Sequence, residues 1–424
     1  MTGQPVRPRI HPDASSQAHG AHAPRTGAPA HGSTDLLSWR SQFPILDTCT
    51  YLVSHSLGAM PAKTADYLAQ FAREWSMRGV RAWHEGWWEI GRETGNLLAA
   101  TLGVEPNTIS MHQNATVGQA IVASCFNWDG PRRKIVMQDL DFPTNHYLFE
   151  GYRKYGADVI YVKSDNAVRA SVERVVDAID DRTALVPISL VLFRSAQLQD
   201  IKPVIDKAHR VGARVVVDAY QAAGAVPMEL GALGADFAVG GSVKWLCGGP
   251  GAGYLYVRPE IAERVRPALV GWAAHESPFE FATGPVRLAG NPERFQSGTP
   301  NVPSLYSARA GYEIVAEIGV EPIRRRSLAL TRRIIDQAQA AGYRLNTPLD
   351  DRERGGSVIL DVPNAKDVAD ELIRRDVIID YRPGAGIRMA PHFYNTEAEI
   401  DHAMKTMGEI VAAAGSSAGQ GSSA

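Results

Sequence analysis

The sequence predicts an α/β protein, a large domain built on a mostly parallel sheet followed by a smaller α+β C-terminal domain. Three observations carry this. Short β-branched runs alternate with helix-period segments, the pattern of βαβ units. After about residue 303 the texture changes to long amphipathic helices and then short strands. The length, 424 residues, exceeds one ordinary domain and suffices for a large core.

In chain order, residues 1–34 are rich in Ala, Pro, Gly, Ser and His and nearly free of large apolar side chains. They cannot bury enough surface to offset the entropy of ordering, and a disordered tail is expected. His11, His19, His22 and His31 follow that bias, and no residue is assigned to a metal. Residues 35–302 form the expected large domain with an N-terminal arm. Its strands read as KIVMQD, DVIYVKS, TALVPISLV, ARVVVDAY, DFAVGGS and GAGYLYV. Between them lie helical stretches such as NHYLFEGYRKYG and IKPVIDKAHRVG, the second closed by Gly212 where a helix C-cap is expected. Residues 303–414 form the expected small domain: helices SLYSARAGYEIVAEIG and EPIRRRSLALTRRIIDQAQAAG, strands GSVILDVP, VIIDYRP and GIRMAP, and a last helix TEAEIDHAMKTMGEIVAA. Residues 415–424 are expected to be a second loose tail.

Composition removes several classes of function. With 44 basic and 46 acidic side chains the net charge is -2, which leaves no electrostatic footprint for nucleic acid or an anionic membrane. Three cysteines, Cys49, Cys125 and Cys247, are too few and scattered for a disulfide framework or a zinc ribbon. No apolar run is long enough for a membrane span, and the N-terminus lacks the apolar core of a signal peptide. A cytoplasmic protein is expected.

In a parallel α/β sheet the carboxyl ends of strands face the ligand crevice. Asp218 ends the apolar run of ARVVVDAY, and Lys244 stands at the next strand end, before the Gly-rich turn GGPGAG. An Asp and a Lys in neighbouring strand-end loops are what pyridoxal phosphate requires. The amine condenses with the cofactor aldehyde as a Schiff base, and the carboxylate keeps the pyridine nitrogen protonated. Each residue has a plainer reading, a surface lysine and a helix-capping aspartate. Phe142, at a third strand end, could stack on a pyridine face or be a core aromatic. Ala115 and Thr116 open a helix and could offer donors to a phosphate, or Thr116 could be a plain N-cap. No dinucleotide or Walker loop is present. Cys247, beside Trp245 and Leu246, reads as a packed cysteine. The aromatic patch Trp83, Trp87 and Trp88 suits either a substrate or an interface.

The order and spacing of YLVSHSLGAMP, GVRAWHEGWWEI, QNATV, DFPTNHY, DAYQAAGAVPMEL, GSVKWLCGGPGAG, GWAAHESPF, RFQSGTPNV and GIRMAPHFYN resemble kynureninase, in the class V branch of fold-type-I pyridoxal phosphate enzymes. The likeness covers about residues 45–412. It implies that residues 35–302 bind the cofactor, with Lys244 the Schiff-base lysine and Asp218 the pyridinium partner. It implies that Phe142 stacks on the ring with Asn145 beside it, that Ala115 and Thr116 hold the phosphate, and that Ser189 and Gln221 are cofactor contacts. Trp272 and Thr299 resemble phosphate-site residues that the family places across a subunit boundary, implying a homodimer with shared sites. Arg388 matches the guanidinium that grips a substrate α-carboxylate, and His55 falls in the substrate region.

The chain also departs from the family. Gln221 replaces a His, Val243 a Tyr, Asn145 an Asp, and His55 an Asn. Three readings follow: hydrolytic C–C cleavage at the β-carbon of kynurenine or a related amino acid; another class V reaction, such as C–S lysis, epimerisation or transamination; or a catalytically silent scaffold. The expected partners are an amino-acid substrate and a second copy of the chain, without nucleic acid or membrane.

Overall fold

The computed structural model describes residues 35–420, and the tail expected over residues 1–34 lies outside them. In chain order the strands are β1 (Thr50–Tyr51), β2 (Ile109–His112), β3 (Lys134–Gln138), β4 (Asp158–Val162), β5 (Thr183–Ser189), β6 (Arg214–Asp218) and β7 (Phe237–Gly241). There follow β8 (Gly253–Val257), β9 (Arg344–Leu345), β10 (Val358–Asp361), β11 (Val377–Ile378), β12 (Asp380–Arg382) and β13 (Gly386–Met389).

A seven-stranded sheet has the order β2-β8-β7-β6-β5-β3-β4. Its pairings are parallel except at β8, which runs against both β2 and β7. The six sequence-read strands are all in this sheet, and β2, which no alternating or β-branched run announced, adds its edge. The central strands are apolar on both faces because helices cover both, so Val215, Val216 and Val217 are buried without alternation. From β3 the chain steps outward to β4 and then returns to β5 on the other side of β3. That reversal opens a crevice at the carboxyl ends of β3 and β5, where such sheets bind ligands.

A four-stranded antiparallel sheet, β12-β13-β10-β9, carries its own core, in which Leu330, Ile334, Leu360, Leu372, Ile387 and Met407 meet. The segment VIIDYRP divides between two sheets, Val377–Ile378 pairing in parallel with β1 and Asp380–Arg382 with β13. The described residues from Leu36 onward form one compact unit. The helix Val302–Ile318, expected to open the small domain, instead buries Val302, Leu305, Tyr306, Tyr312 and Val315 in the large core. Its apolar stripe is taken up by the helices Lys63–Arg78 and Ile90–Leu102, so the second core gathers only from the following helix onward. The last helix runs from Glu397 to Gln420, six residues into the expected tail. Extending a formed helix through Ala and Ser costs no new nucleus.

Candidate active site

Three features of the local sequence aim side chains into the crevice. Pro143 at the first turn of the helix Pro143–Gly151 fixes the chain direction after Phe142, which caps that helix. Asn114 is the N-cap of the helix Ala115–Ala123, its side chain accepting from Val117 N at 3.0 Å, so of the two readings open for Thr116 the plain N-cap is not the one observed. Asp218 and Lys244 close β6 and follow β7, which are adjacent strands.

One cavity of about 240 Å³ is lined by Asn114, Ala115, Thr116, Phe142, Thr144, Asn145, Ser189, Val191, Phe193, Asp218, Tyr220, Gln221 and Lys244. Eight residues singled out from sequence thus share one wall: Ala115, Thr116, Phe142, Asn145, Ser189, Asp218, Gln221 and Lys244. Phe142 keeps 42% of its surface exposed, so its ring is free to cover a ligand. The Lys244 amine lies 4.3 Å from the Tyr220 ring centroid and 5.6 Å from that of Phe142. Burial lowers its pKa to about 8 and Arg388 and Arg382 add to that, while Asp218 and Asp380 oppose. Lys244 is therefore neutral, and nucleophilic, in a far larger share near neutral pH than an ordinary lysine.

Asp218 is buried and accepts from Tyr220 N at 2.9 Å and from Asn145 Nδ2 at 3.5 Å. Burial raises its pKa, and those hydrogen bonds and Lys244 oppose the rise. Asn145 in turn accepts from Gln119 Nε2 at 2.8 Å, which fixes its amide with the nitrogen toward Asp218. The Ser189 hydroxyl donates to Asp141 Oδ1 at 2.7 Å, and burial pushes the Asp141 carboxyl up to about 7. Gln221 donates to the His55 carbonyl at 3.1 Å and accepts from Trp245 Nε1 at 3.1 Å, tying three segments beside Lys244.

Arg388 and His55 are not among the cavity-lining residues. Both bind Asp380, which faces Arg388 across the β12–β13 pair. Arg388 donates from Nε to Oδ1 at 2.7 Å, from Nη2 to Oδ2 at 2.5 Å, and from Nη1 to the Phe193 carbonyl at 2.7 Å. His55 Nε2 lies 3.2 Å from Oδ1, and its buried Nδ1 has no protein partner. Burial lowers the His55 pKa to about 4, so the ring is neutral. Burial disfavours the Asp380 carboxylate, yet hydrogen bonds from His55 and Arg388 outweigh that and hold its carboxyl well below the ordinary range. The guanidinium expected to meet a ligand carboxylate is thus clamped along one edge by an internal one. Of its five N–H groups these bonds engage three, which leaves one on each Nη nitrogen.

Trp272 and Thr299 lie outside the Lys244 cavity. Thr299 borders a second cavity of about 280 Å³ together with Trp88, and Trp272 packs on Trp88 with ring centroids 5.2 Å apart. Trp87 fills the core and Trp83 packs edge-on against it, so the tryptophan patch does not line the Lys244 cavity. Cys247 is buried. Sequence reading missed Tyr220, Asp141 and Asp380. Tyr220 and Asp141 stand two residues from Asp218 and one before Phe142, and that adjacency was a usable signal. Asp380 had only the facing of opposite charges on two short strands.

Comparison with known proteins shows the family and the fold. Residues 50–402 match the family described as Aminotransferase class-V. The chain is 31% identical to kynureninase of Pseudomonas fluorescens over 390 residues, 89% of this chain and 92% of the relative. It is also 31% identical over 366 residues to an uncharacterized aminotransferase, YcbU, of Bacillus subtilis, 86% of this chain and 95% of that one. Among solved structures it is similar in fold to an apo cysteine desulfurase from Thermococcus onnurineus NA1, with TM-score 0.79 and 21% identity over 89% of this chain and 98% of the other. A second, a cystine C-S lyase, gives TM-score 0.76 and 19% identity, covering 87% of this chain and 99% of that one.

Proposed function

Because the chain belongs to the aminotransferase class-V family, we propose that it is a kynureninase-type enzyme, using pyridoxal 5'-phosphate to hydrolyse the side chain of kynurenine or a related amino acid. The observation that carries this is the single cavity in which the Lys244 amine, the Asp218 carboxylate and the open face of Phe142 converge. The donor set suits the cofactor: an amine for its aldehyde, a carboxylate for its ring nitrogen, an aromatic face for its ring, and the helix end at Ala115 and Thr116 for its phosphate. Bound there, the cofactor supplies an electron sink for charge developing at the substrate's α-carbon.

The chain's own residues do the rest. Lys244, close to half neutral near pH 8, would hold the cofactor through its aldehyde and is the group that would carry the α-proton. Asp218, oriented by Tyr220 N and Asn145, holds a proton on the ring nitrogen. Arg388, held in place by Asp380, offers its two remaining N–H groups to the substrate carboxylate. In the net reaction water adds to the side-chain carbonyl of kynurenine, the bond to the β-carbon breaks, and anthranilate and alanine leave.

The full chain loaded with pyridoxal 5'-phosphate should show a visible absorption band that Lys244→Ala abolishes. A colourless protein that takes up no cofactor would sink the assignment. Release of anthranilate from kynurenine or 3-hydroxykynurenine, set beside turnover of cysteine and alanine, tests the substrate class. A second reading, another class V reaction, is favoured by Val243, which has neither donor nor acid beside Lys244. Failure to release anthranilate with turnover of another amino acid selects it. A desulfurase is disfavoured because Cys247 is buried at the lysine strand end. The second copy implied by Trp272 and Thr299 belongs to the same proposal, and the mass of the assembly in solution tests it.

A further inference from the structure

Tyr220 touches both groups on which the proposed chemistry turns, although nothing in the family resemblance assigns it a role. Its backbone N–H donates to Asp218 Oδ1 at 2.9 Å, and its ring lies 4.3 Å from the Lys244 amine. The hydroxyl does not make that contact. It reaches over Gly241 at the end of β7, where a Cβ would come within 2.6 Å of it, so the glycine is what lets the ring lie in this place. The amine therefore meets the electron-rich face of the phenol, with Phe142 farther off at 5.6 Å.

We propose that Tyr220 is a positioning residue whose ring face receives the Lys244 amine in its charged form and sets the pH at which that lysine becomes nucleophilic. The amine is needed in two places, bonded to the cofactor and free of it. When a substrate amine takes the lysine's place on the cofactor, the Lys244 amine would be released and would take the proton that the incoming amine gives up. The ammonium so formed is largely shut off from water, and burial disfavours it. Other groups act on it from several elements. Asp218 and Asp380 favour the charge, Arg388 and Arg382 oppose it, and neutral His55 adds none. An aromatic face against the amine offsets desolvation without neutralising the charge as a second carboxylate would, and so leaves the lysine able to shed its proton.

This inference rests on the functional reading above for its meaning, but its test does not need the cofactor. In the full chain freed of cofactor, the pH dependence of Lys244 modification by an amine-directed reagent, followed at that residue by peptide mass spectrometry, gives the titration midpoint. Tyr220→Phe keeps the ring face and should hold the wild-type midpoint to within about 0.3 unit. Tyr220→Leu removes it and should move the midpoint down by roughly half to one and a half pH units, the span of a partly desolvated cation–π contact. If Tyr220→Leu does not fold, Tyr220→Met, ringless and flexible, carries the same expectation. An unmoved midpoint in a folded ringless variant overturns the proposal, and so does a Phe variant displaced as far as the Leu variant, because the hydroxyl would then be the agent. Retention of the visible band by Lys244→Ala would instead sink the functional reading and leave the amine titration standing.

Discussion

Replacing Asp380 by Asn should destabilise the chain by about 2–4 kcal/mol at neutral pH. The Arg388 side chain is 3% exposed and that of Asp380 14%, so both charges of this pair sit largely out of water. Removing one partner of a fully buried pair costs about 3–5 kcal/mol, because the remaining charge is left uncompensated. Here the figure falls lower, since Asn keeps one acceptor oxygen and Asp380 is not wholly buried, but its amide nitrogen would face donors of Arg388 and of Arg382, now 3.0 Å from Oδ2. Removing both charges, with Arg388→Met added, should be less damaging than the two single losses summed. Urea unfolding of wild type, Asp380→Asn, Arg388→Met and the double variant closes a double-mutant cycle. Losses that add to within about 0.5 kcal/mol would show that the two residues are not a coupled unit and would refute the clamp. The pH dependence has a definite sign. The carboxyl is lowered on folding, so its stabilisation is fully present above the ordinary value of about 3.9 and is lost as pH falls below it. The gap between wild type and Asp380→Asn should therefore persist down to about pH 4 and narrow beneath it.

Gly58→Ala should cost several kcal/mol and disturb cofactor uptake, because a Cβ there would come within 2.1 Å of the Lys244 carbonyl oxygen; thermal unfolding and the visible band check it, and a variant equal to wild type in both refutes the packing argument. His55, His112 and His392 are each lowered by burial to about 4, so they stay neutral in the folded chain while the unfolded chain takes up protons below about 6.5. Stability is thus expected to fall between pH 6 and pH 5, by less than the roughly 4 kcal/mol per unit of three such groups, because the raised carboxyls of Asp141 and Asp218 act in the opposite sense. Urea unfolding at both pH values that showed constant or rising stability would contradict it.

The sheet and the residues at its strand ends were legible because their determinants are local. A run such as ARVVVD declares a strand, a strand in such a sheet has a ligand-facing end, and Asp218 or Lys244 can then be placed without knowing anything distant. The same holds for Phe142 ahead of Pro143. Arg388 and His55 were found only through resemblance, and their clamp was invisible, because the contact joining His55 to Asp380 spans 325 residues and depends on two strands that are only a few residues long. Of the two readings left open for Thr116, the plain N-cap falls away because Asn114, two residues earlier, caps the helix by accepting from Val117 N. The boundary near residue 303 was drawn from texture, whereas the apolar face of the helix that begins there answers to helices two hundred residues upstream.

The pairing of β1 with β11 carries a consequence for how the protein is made. Segment 50–58, which supplies His55 and packs Gly58 against Lys244, is synthesised well ahead of its partners, Val377–Ile378, Asp380 and the Asn395 side chain on the Tyr51 carbonyl, the contacts to Asp380 and Asn395 spanning 325 and 344 residues. Until then this stretch has no strand to join. A chain made only as far as the large sheet can assemble the wall that holds Lys244 and still be missing its other side, so a lesion within residues 377–395 should silence the enzyme while leaving its largest sheet intact.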